Sequence, residues 1–227
     1  MKLFLTGIVI TTTLLLTQGC SSNVPSQNQS EASSPTSTDA SGMKGHGGMA
    51  QGSHMNHSMN MDLGPADADY DLRFIDAMTP HHQGAVKMAQ EALQKSKRPE
   101  IKQLADNIIK AQNKEISQMK QWRKAWYPKA GDKPMAYSTQ MGHMMEMSPE
   151  QMQSMMMSMD LGAADADFDR RFINAMIPHH EGALVMAKDA LGKSKRAEIQ
   201  QLSKDILASQ QKEIDQMKQW RQAWYKQ

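Results

Sequence analysis

The sequence predicts an all-α protein in which two homologous helical hairpins form a four-helix bundle behind a disordered N-terminal segment. The main observation is an internal repeat: residues 62–127 and 160–225 align without a gap, and about two thirds of the positions are identical. Each repeat contains two apolar patterns of helical period, separated by KSKRPE in the first copy and KSKRAE in the second. So short a connection makes the two helices antiparallel neighbours. One hairpin buries too little apolar surface to be stable alone, so two hairpins of one chain, or hairpins paired across two chains, must combine.

Residues 1–20 have the plan of a secretory signal, with one early lysine, an apolar run and small residues before Cys20. The apolar run is too short to span a membrane, so no transmembrane segment is expected in the mature protein. Cys20 is the only cysteine and follows LTQG, which resembles a lipoprotein processing box. Lipidation at Cys20 and plain signal cleavage both remain open, and we expect a periplasmic or envelope-anchored protein.

Residues 21–61 are predicted to be disordered, because they contain almost no aliphatic residue that could build a core. The second half of this segment is nevertheless rich in methionine and histidine. Packing does not explain these side chains, so we take them as candidate metal ligands: Met43, His46, Met49, His54, Met55, His57, Met59 and Met61.

In the first repeat, residues 62–127, the leading helix contains the stretch AMTPHHQGAVKMA. A helical projection places Met78, His81, His82 and Met88 on the inward face, and Pro80 on the opposite face. A proline on the solvent side removes one backbone hydrogen bond, so the helix can kink around the core without ending. The same projection places Arg73 and Asp76 outward with the proline.

The second helix of each repeat carries two polar groups in the middle of its apolar stripe. These are Gln112 and Glu115 in the first repeat, and Gln210 and Glu213 in the second repeat, residues 160–227. A glutamate opposite a histidine fixes the tautomer of the imidazole, so we expect Glu115 to contact the His pair. The alternative interpretation is a buried histidine that is satisfied by Gln or Glu without any metal.

The linker, residues 128–159, is again rich in methionine and is predicted to contain one short helix. Ser148, Pro149 and Gln151 form a cap, a first turn and a capping box. The following methionines have the spacing of one helix face. The candidate ligands of the linker are His143, Met144, Met152, Met155, Met156 and Met159.

The composition favours a soft metal ion as the ligand. The chain has 22 methionines among 227 residues, and thioether and imidazole groups without cysteine select Cu(I) and, by the same softness, Ag(I). Zinc prefers cysteine or several histidines with a carboxylate, and calcium or magnesium requires oxygen ligands. The formal net charge is only +2, without a basic cluster, so no nucleic-acid partner is expected. Adjacent histidines diverge by about 100° on a helix, so one histidine of each pair is expected to ligate.

These residues resemble the family known as domain of unknown function 305, through the order Asp, Phe, Met, Pro-His-His, Gly-Ala, Met-Ala, then Gln, Glu-Ile, Met and Trp in each repeat. The resemblance implies a ferritin-like helical fold, copper binding and copper resistance. By the same resemblance, the implied copper ligands are Met78, His81, His82, Met88, Met119, Met176, His179, His180, Met186 and Met217.

We therefore expect a non-enzymatic, exported protein that sequesters or carries Cu(I) for copper homeostasis and passes it to an efflux system component. Ag(I) and Cu(II) are the further ions considered. A ferritin-like di-iron oxidoreductase is the enzymatic alternative, but the chain contains no Glu-x-x-His motif. A methionine-rich helical interaction module without metal is the third hypothesis. The number of copper ions and the oligomeric state stay open.

Overall fold

A computed structural model describes residues 62–227, so the predictions for residues 1–61 lie outside the described part of the chain. The described residues form two long helical hairpins and a small linker unit. In chain order the elements are α1 (Tyr70–Lys95), α2 (Pro99–Trp126), β1 (Met135–Ser138), β2 (His143–Glu146), α3 (Pro149–Met156), α4 (Phe168–Lys193) and α5 (Ala197–Tyr225). The predicted all-α fold of two hairpins is confirmed, with one short strand pair in the linker.

The two hairpins turn in the same way at the repeated KSKR sequence. Ser96 ends α1, and its hydroxyl accepts a hydrogen bond from the backbone N–H of Arg98 at 3.1 Å. Pro99 then begins α2, where its fixed φ and missing N–H suit the first turn. Ser194 ends α4 and accepts from the backbone of Arg196 at 3.2 Å. Each buried serine therefore holds a three-residue connection between antiparallel helices.

An approximate two-fold axis relates the repeats, because α1 and α4 cross in antiparallel directions. The Tyr70 hydroxyl, at the start of α1, donates to Asp189 near the end of α4 at 2.8 Å. Lys95 donates to the Gly162 carbonyl at 2.9 Å, and its repeat partner Lys193 donates to the Gly64 carbonyl at 2.8 Å. Each half of the bundle is consequently built from one end of all four long helices.

Two packed cores follow from this crossing. One contains the first half of α1 and the second half of α4, together with the end of α2 and the start of α5. The other contains the complementary halves. Stacked indole pairs, Trp122 with Trp126 and Trp220 with Trp224, pack against the two cores with ring centroids 5.1 Å apart. No helix among residues 62–227 has both the length and the apolar character that a membrane crossing requires.

The linker covers the outer face of α1, which the helical projection assigned to solvent. Strands β1 and β2 pair antiparallel, with Met135 opposite Glu146, and β1 contacts α1. The prediction that Arg73, Asp76 and Pro80 face solvent is wrong, since all three are buried. A periodicity argument considers only one helix, whereas Arg73 is covered by residues 63–67 and Asp76 by the strand β1. The predicted capping box at Ser148 and Gln151 is present at the start of α3.

Candidate metal centre

The second histidine of each pair lies opposite a glutamate of its own hairpin. His82 Nε2 is 2.6 Å from Glu115 Oε2, and His180 Nε2 is 2.7 Å from Glu213 Oε2. Both imidazoles are fully buried, while the glutamates are only 15% and 18% exposed. An ionised carboxylate is an acceptor only, so Nε2 carries the proton and donates it to the glutamate. The expected contact between Glu115 and the His pair is thus found, and His82 is the member that makes it.

The other ring nitrogen of these two histidines is left without a partner. The Nδ1 atoms of His82 and His180 are buried and make no hydrogen bond within residues 62–227. In a neutral imidazole whose proton is on Nε2, the buried Nδ1 carries the lone pair that a metal ion can bind. A carboxylate on one nitrogen and a free lone pair on the other is the arrangement in which metal-binding histidines are held.

The predicted methionines of the helices are all fully buried, but the crossing of α1 and α4 groups them across the repeats. Met78 and Met119 share a core with Met186 of the second repeat. Their counterparts Met176 and Met217 share the other core with Met88 of the first repeat. The repeat groups Met88 with Met78 and Met119, and Met186 with Met176 and Met217. In the structure Met88 packs in the core of the second repeat's methionines and Met186 in that of the first, because residues beyond the crossing pack on the opposite half.

The first histidine of each pair lies at the crossing itself. The rings of His81 and His179 are 3.9 Å apart between centroids, and both side chains are almost completely buried. Burial, followed by the neighbouring His179, lowers the pKa of His81 well below its usual value. Burial, followed by His180, lowers the pKa of His179 to about 3. Both rings are therefore neutral at neutral pH. His179 Nε2 donates to the Met156 carbonyl at 3.1 Å, whereas neither ring nitrogen of His81 has a hydrogen-bond partner among the described residues.

No hydrogen bond joins the predicted glutamines to the histidines within the described part of the chain. Gln112 and Gln210 are buried in the stripes where we expected them, yet their Oε1 atoms make no hydrogen bond within the described residues. Each glutamine precedes the glutamate by three residues, so it lies about one turn further from the histidine. The contact predicted for Gln or Glu is made by the glutamate in both repeats.

The predicted ligands of the linker are more exposed than those of the helices. His143 and Met159 are exposed, and Met144, Met152 and Met156 are half-buried. Met155 packs against the core that contains Met78. Met157 packs against the same core. We did not predict Met157 as a ligand, although it belongs to the methionine run at the end of α3. The candidates between Met43 and Met61 lie outside the described residues.

These features define a duplicated helical protein with two buried histidine–glutamate contacts and with three fully buried methionines in each of its two cores. Within residues 62–227, no group of three or more His, Cys, Asp and Glu side chains is placed to hold a metal ion. The buried soft donors in this part of the chain include the methionine sulfurs of the two cores and the imidazole nitrogens of the His pairs.

The chain belongs to the family described as Domain of unknown function (DUF305), whose sequence profile matches residues 16–123 and 71–221. A crystal structure of a DUF305 fragment from Deinococcus radiodurans is 26% identical, with a TM-score of 0.52 over 68% of this chain and 96% of that one. The uncharacterized protein L153 of Acanthamoeba polyphaga mimivirus is 45% identical over 49 residues. This match spans only 22% of this chain and 32% of L153.

Solved structures of CopM match a larger share of the chain than L153 does, and at higher identity than the Deinococcus radiodurans fragment. The Cu(II)-bound form is 44% identical with a TM-score of 0.55, and the Cu(I)-bound form is 42% identical with a TM-score of 0.53. The Ag-bound form obtained by soaking is 41% identical with a TM-score of 0.54. Each alignment covers 68% of this chain and 97% of CopM. The family predicted from the sequence is thereby confirmed.

Proposed function

We propose that the protein binds Cu(I), and Ag(I) as its chemical analogue, through methionine and histidine side chains in each half of the bundle. The observation that carries the proposal is the buried Nδ1 of His82 and of His180, which has no hydrogen-bond partner within residues 62–227 while a glutamate holds the other ring nitrogen. Each of these histidines follows, by one helical turn, a fully buried methionine, Met78 or Met176, whose core contains two further fully buried methionines. The similarity to CopM, which is solved with Cu(I), Cu(II) and Ag bound, supports this choice of metal.

The first proposed ligand set is His82 Nδ1 with the sulfurs of Met78, Met119 and Met186. Met78 lies one helical turn before His82, and Met119 lies one turn beyond the Glu115 that orients this histidine. The second set is His180 Nδ1 with Met176, Met217 and Met88, related by the same offset. Cu(I) and Ag(I) prefer such soft ligands, and thioethers need no deprotonation before they bind.

The proposed role is the sequestration or carriage of copper outside the cytoplasm, for copper resistance. The signal-like residues 1–20 support export to the periplasm or the envelope. In this proposal the methionines and histidines of residues 43–61 and of the linker capture the ion and exchange it with the buried sites. Transfer onward to an efflux component completes the proposed role, and Cu(II) is the second oxidation state to be tested.

Titration of the protein with Cu(I) against a competing chelator tests the two ligand sets. The pair of substitutions Met78→Leu and Met119→Leu removes two sulfurs at nearly constant volume, so the fold is expected to persist. We expect the double variant to lose one tightly bound Cu(I) equivalent, and Glu115→Gln to weaken that equivalent by about tenfold. The matched control, Met147→Leu, alters a buried linker methionine outside both sets and should change neither number.

The grouping across repeats is tested by the same titration. Met186→Leu, although it lies in the second repeat, should weaken the site that Met78→Leu weakens, and the two effects should not be additive. Unchanged stoichiometry and affinity in the Met78→Leu, Met119→Leu double variant would remove the first bundle site from the proposal.

A further inference from the structure

A tight turn joins β1 to β2 and holds Met141 at the surface. The carbonyl of Ser138 accepts the backbone N–H of Gly142 at 2.8 Å, and the Ser138 hydroxyl accepts the backbone N–H of Met141 at 3.2 Å. Gly142 has a φ of +70°, a conformation that glycine adopts without strain. Met141 is 51% exposed. The turn therefore presents a thioether to solvent two residues before His143.

The same turn orients the ring of His143. The Nδ1 atom of His143 lies 3.1 Å from the backbone carbonyl oxygen of Met141. A carbonyl oxygen is an acceptor only, so Nδ1 carries the proton and donates it. In the neutral imidazole the lone pair is then on Nε2, and the side chain of His143 is exposed. Metal-binding histidines are held in this way, with a backbone carbonyl on the ring nitrogen that does not bind the metal.

The register of the strand pair determines which methionine of β2 shares a face with His143. Tyr137 of β1 stands opposite Met144, and the Tyr137 ring lies against Gly64, where a Cβ atom would overlap it. Opposite residues of an antiparallel pair lie on the same face, so Met144 faces the first repeat together with Tyr137. Side chains alternate along a strand, so His143 and Met145 share the outer face, with their Cα atoms about 7 Å apart.

The outer face of the hairpin therefore carries a set of soft, uncharged ligands. Met141 and Met145 supply thioether sulfurs, and His143 supplies an imidazole nitrogen. Such ligands select Cu(I) or Ag(I), whereas zinc prefers cysteine or several histidines with a carboxylate, and calcium requires oxygen. The carboxylate of β2, Glu146, lies on the other face and pairs with Lys133 at 2.7 Å. The chemistry of this face fits a soft monovalent ion.

We propose that His143 Nε2 and the sulfurs of Met141 and Met145 bind one Cu(I) or Ag(I) ion at the surface of the hairpin. This site is separate from the two ligand sets of the bundle. Met141 and His143 are exposed and Met145 is half-buried, so an ion can enter and leave without any opening of the core. Exchange of this ion with the buried sites rests on the proposed function, whereas binding at the hairpin does not.

An NMR titration of the full chain with Ag(I) tests the site. Ag(I) has no unpaired electron and needs no reductant, so the resonances of its ligands can be followed directly. We expect the Nε2 resonance of His143 and the methyl resonances of Met141 and Met145 to shift in parallel as Ag(I) is added. The Nδ1 atom of His143 should stay protonated, because the Met141 carbonyl continues to accept its proton.

Three methionine substitutions on the hairpin separate ligands from neighbours. Met141→Leu and Met145→Leu each remove one sulfur at nearly constant volume, so the hairpin is expected to persist. Loss of a group that only orients a ligand lowers metal affinity by about 10–100-fold, so loss of a ligand should weaken Ag(I) binding at His143 by at least about tenfold. The matched control is Met144→Leu, which changes the adjacent methionine on the other face and should leave this binding unchanged.

The proposal is overturned if the His143 resonances do not respond to Ag(I), or if Met144→Leu weakens the binding as much as Met145→Leu does. Binding at His143 that survives the combined Met141→Leu and Met145→Leu substitutions also overturns it, since other ligands would then hold the ion. The methyl resonances of Met78 and Met186 report on the first bundle site in the same titration. Failure of the hairpin site and failure of the proposed function are therefore distinguished.

Discussion

The outer faces of α1 and α4 differ, although the inner faces of these two helices are nearly the same. On α1, Asp76 is 3% exposed, binds Arg123 at 2.5 Å and accepts the backbone N–H of Met135 at 2.8 Å. Arg123 also donates to the carbonyls of Gly131 and Lys133. On α4, Asn174 replaces the aspartate, and its contact with Arg221 is a long one, 3.4 Å, at the surface.

The difference shows that one repeat anchors the linker, while the histidine–glutamate contact has the same geometry in both repeats. The histidine–glutamate distances of the two repeats agree within 0.1 Å, at 2.6 and 2.7 Å. The change from Asp76 to Asn174 removes the charge that draws in an arginine and a strand. Outer positions of the repeats should therefore respond differently to substitution, and inner positions alike.

The largest expected difference concerns this anchor. Asp76→Ala should lower the free energy of unfolding by about 3 kcal/mol, because it leaves Arg123 and the Met135 N–H without their buried acceptor. The equivalent substitution Asn174→Ala, at an exposed position, should change it by less than about 0.5 kcal/mol. Urea unfolding of both variants measures the comparison. Equal losses in the two variants would mean that the linker is not held by Asp76.

A smaller effect is expected from the crossing histidines when the pH falls. The folded pKa of His179 is about 3, and that of His81 also lies well below the usual 6.5. Below pH 6.5 these two histidines bind protons in the unfolded chain but stay neutral in the folded protein. Their contribution to the free energy of unfolding is therefore complete above pH 6.5 and is lost as the pH falls. Between pH 6 and pH 5, each histidine should lower the free energy of unfolding by about 1 kcal/mol, and the two together by about 2 kcal/mol.

Unfolding of the metal-free protein at pH 6 and pH 5 measures this loss. His179→Gln should remove about half of this loss, because only His81 would then bind a proton in the unfolded chain but not in the folded protein. His143→Gln, at an exposed linker position, serves as the control and should leave the pH dependence unchanged. An undiminished loss in His179→Gln would show that the crossing histidines do not set the acid sensitivity.

The sequence predicted the hairpins, the inward His pairs and the glutamate contact, because all of these are local or repeated. The offset between the copies and the helical period suffice to place His82 against Glu115 within one hairpin. The exchange of Met88 and Met186 between the halves could not be predicted in this way. It depends on the direction in which α1 crosses α4, which no single repeat encodes.

The buried outer face of α1 escaped prediction for a related reason. The helical period of α1 alone predicts that Arg73 and Asp76 face solvent. In the structure, residues 63–65 cover Arg73 and the strand β1 covers Asp76. The strands themselves are only four residues long and contain no hairpin signal as strong as Asn-Gly. Charged residues whose partners are distant in sequence give no periodic signal at all.

The smallest expected difference between the repeats is at the residue before the proline of α1 and α4. This residue is Thr79 in the first repeat and Ile177 in the second. The Thr79 hydroxyl is buried and has no partner within residues 62–227, whereas Ile177 packs in a core at 4% exposure. Valine is a common endpoint for both positions, since it matches the shape of threonine and lacks one methylene of isoleucine.

The same final residue should therefore have opposite effects at the two positions. Thr79→Val should raise the free energy of unfolding by about 1 kcal/mol, because it removes an unsatisfied hydroxyl without changing the volume. Ile177→Val should lower it by about 1 kcal/mol, because it leaves a small cavity. The double variant should unfold close to the wild type in urea, since the two effects offset each other. A loss of stability in Thr79→Val would show that its hydroxyl has a partner in solution and that the outer face of α1 is wetter than its burial indicates.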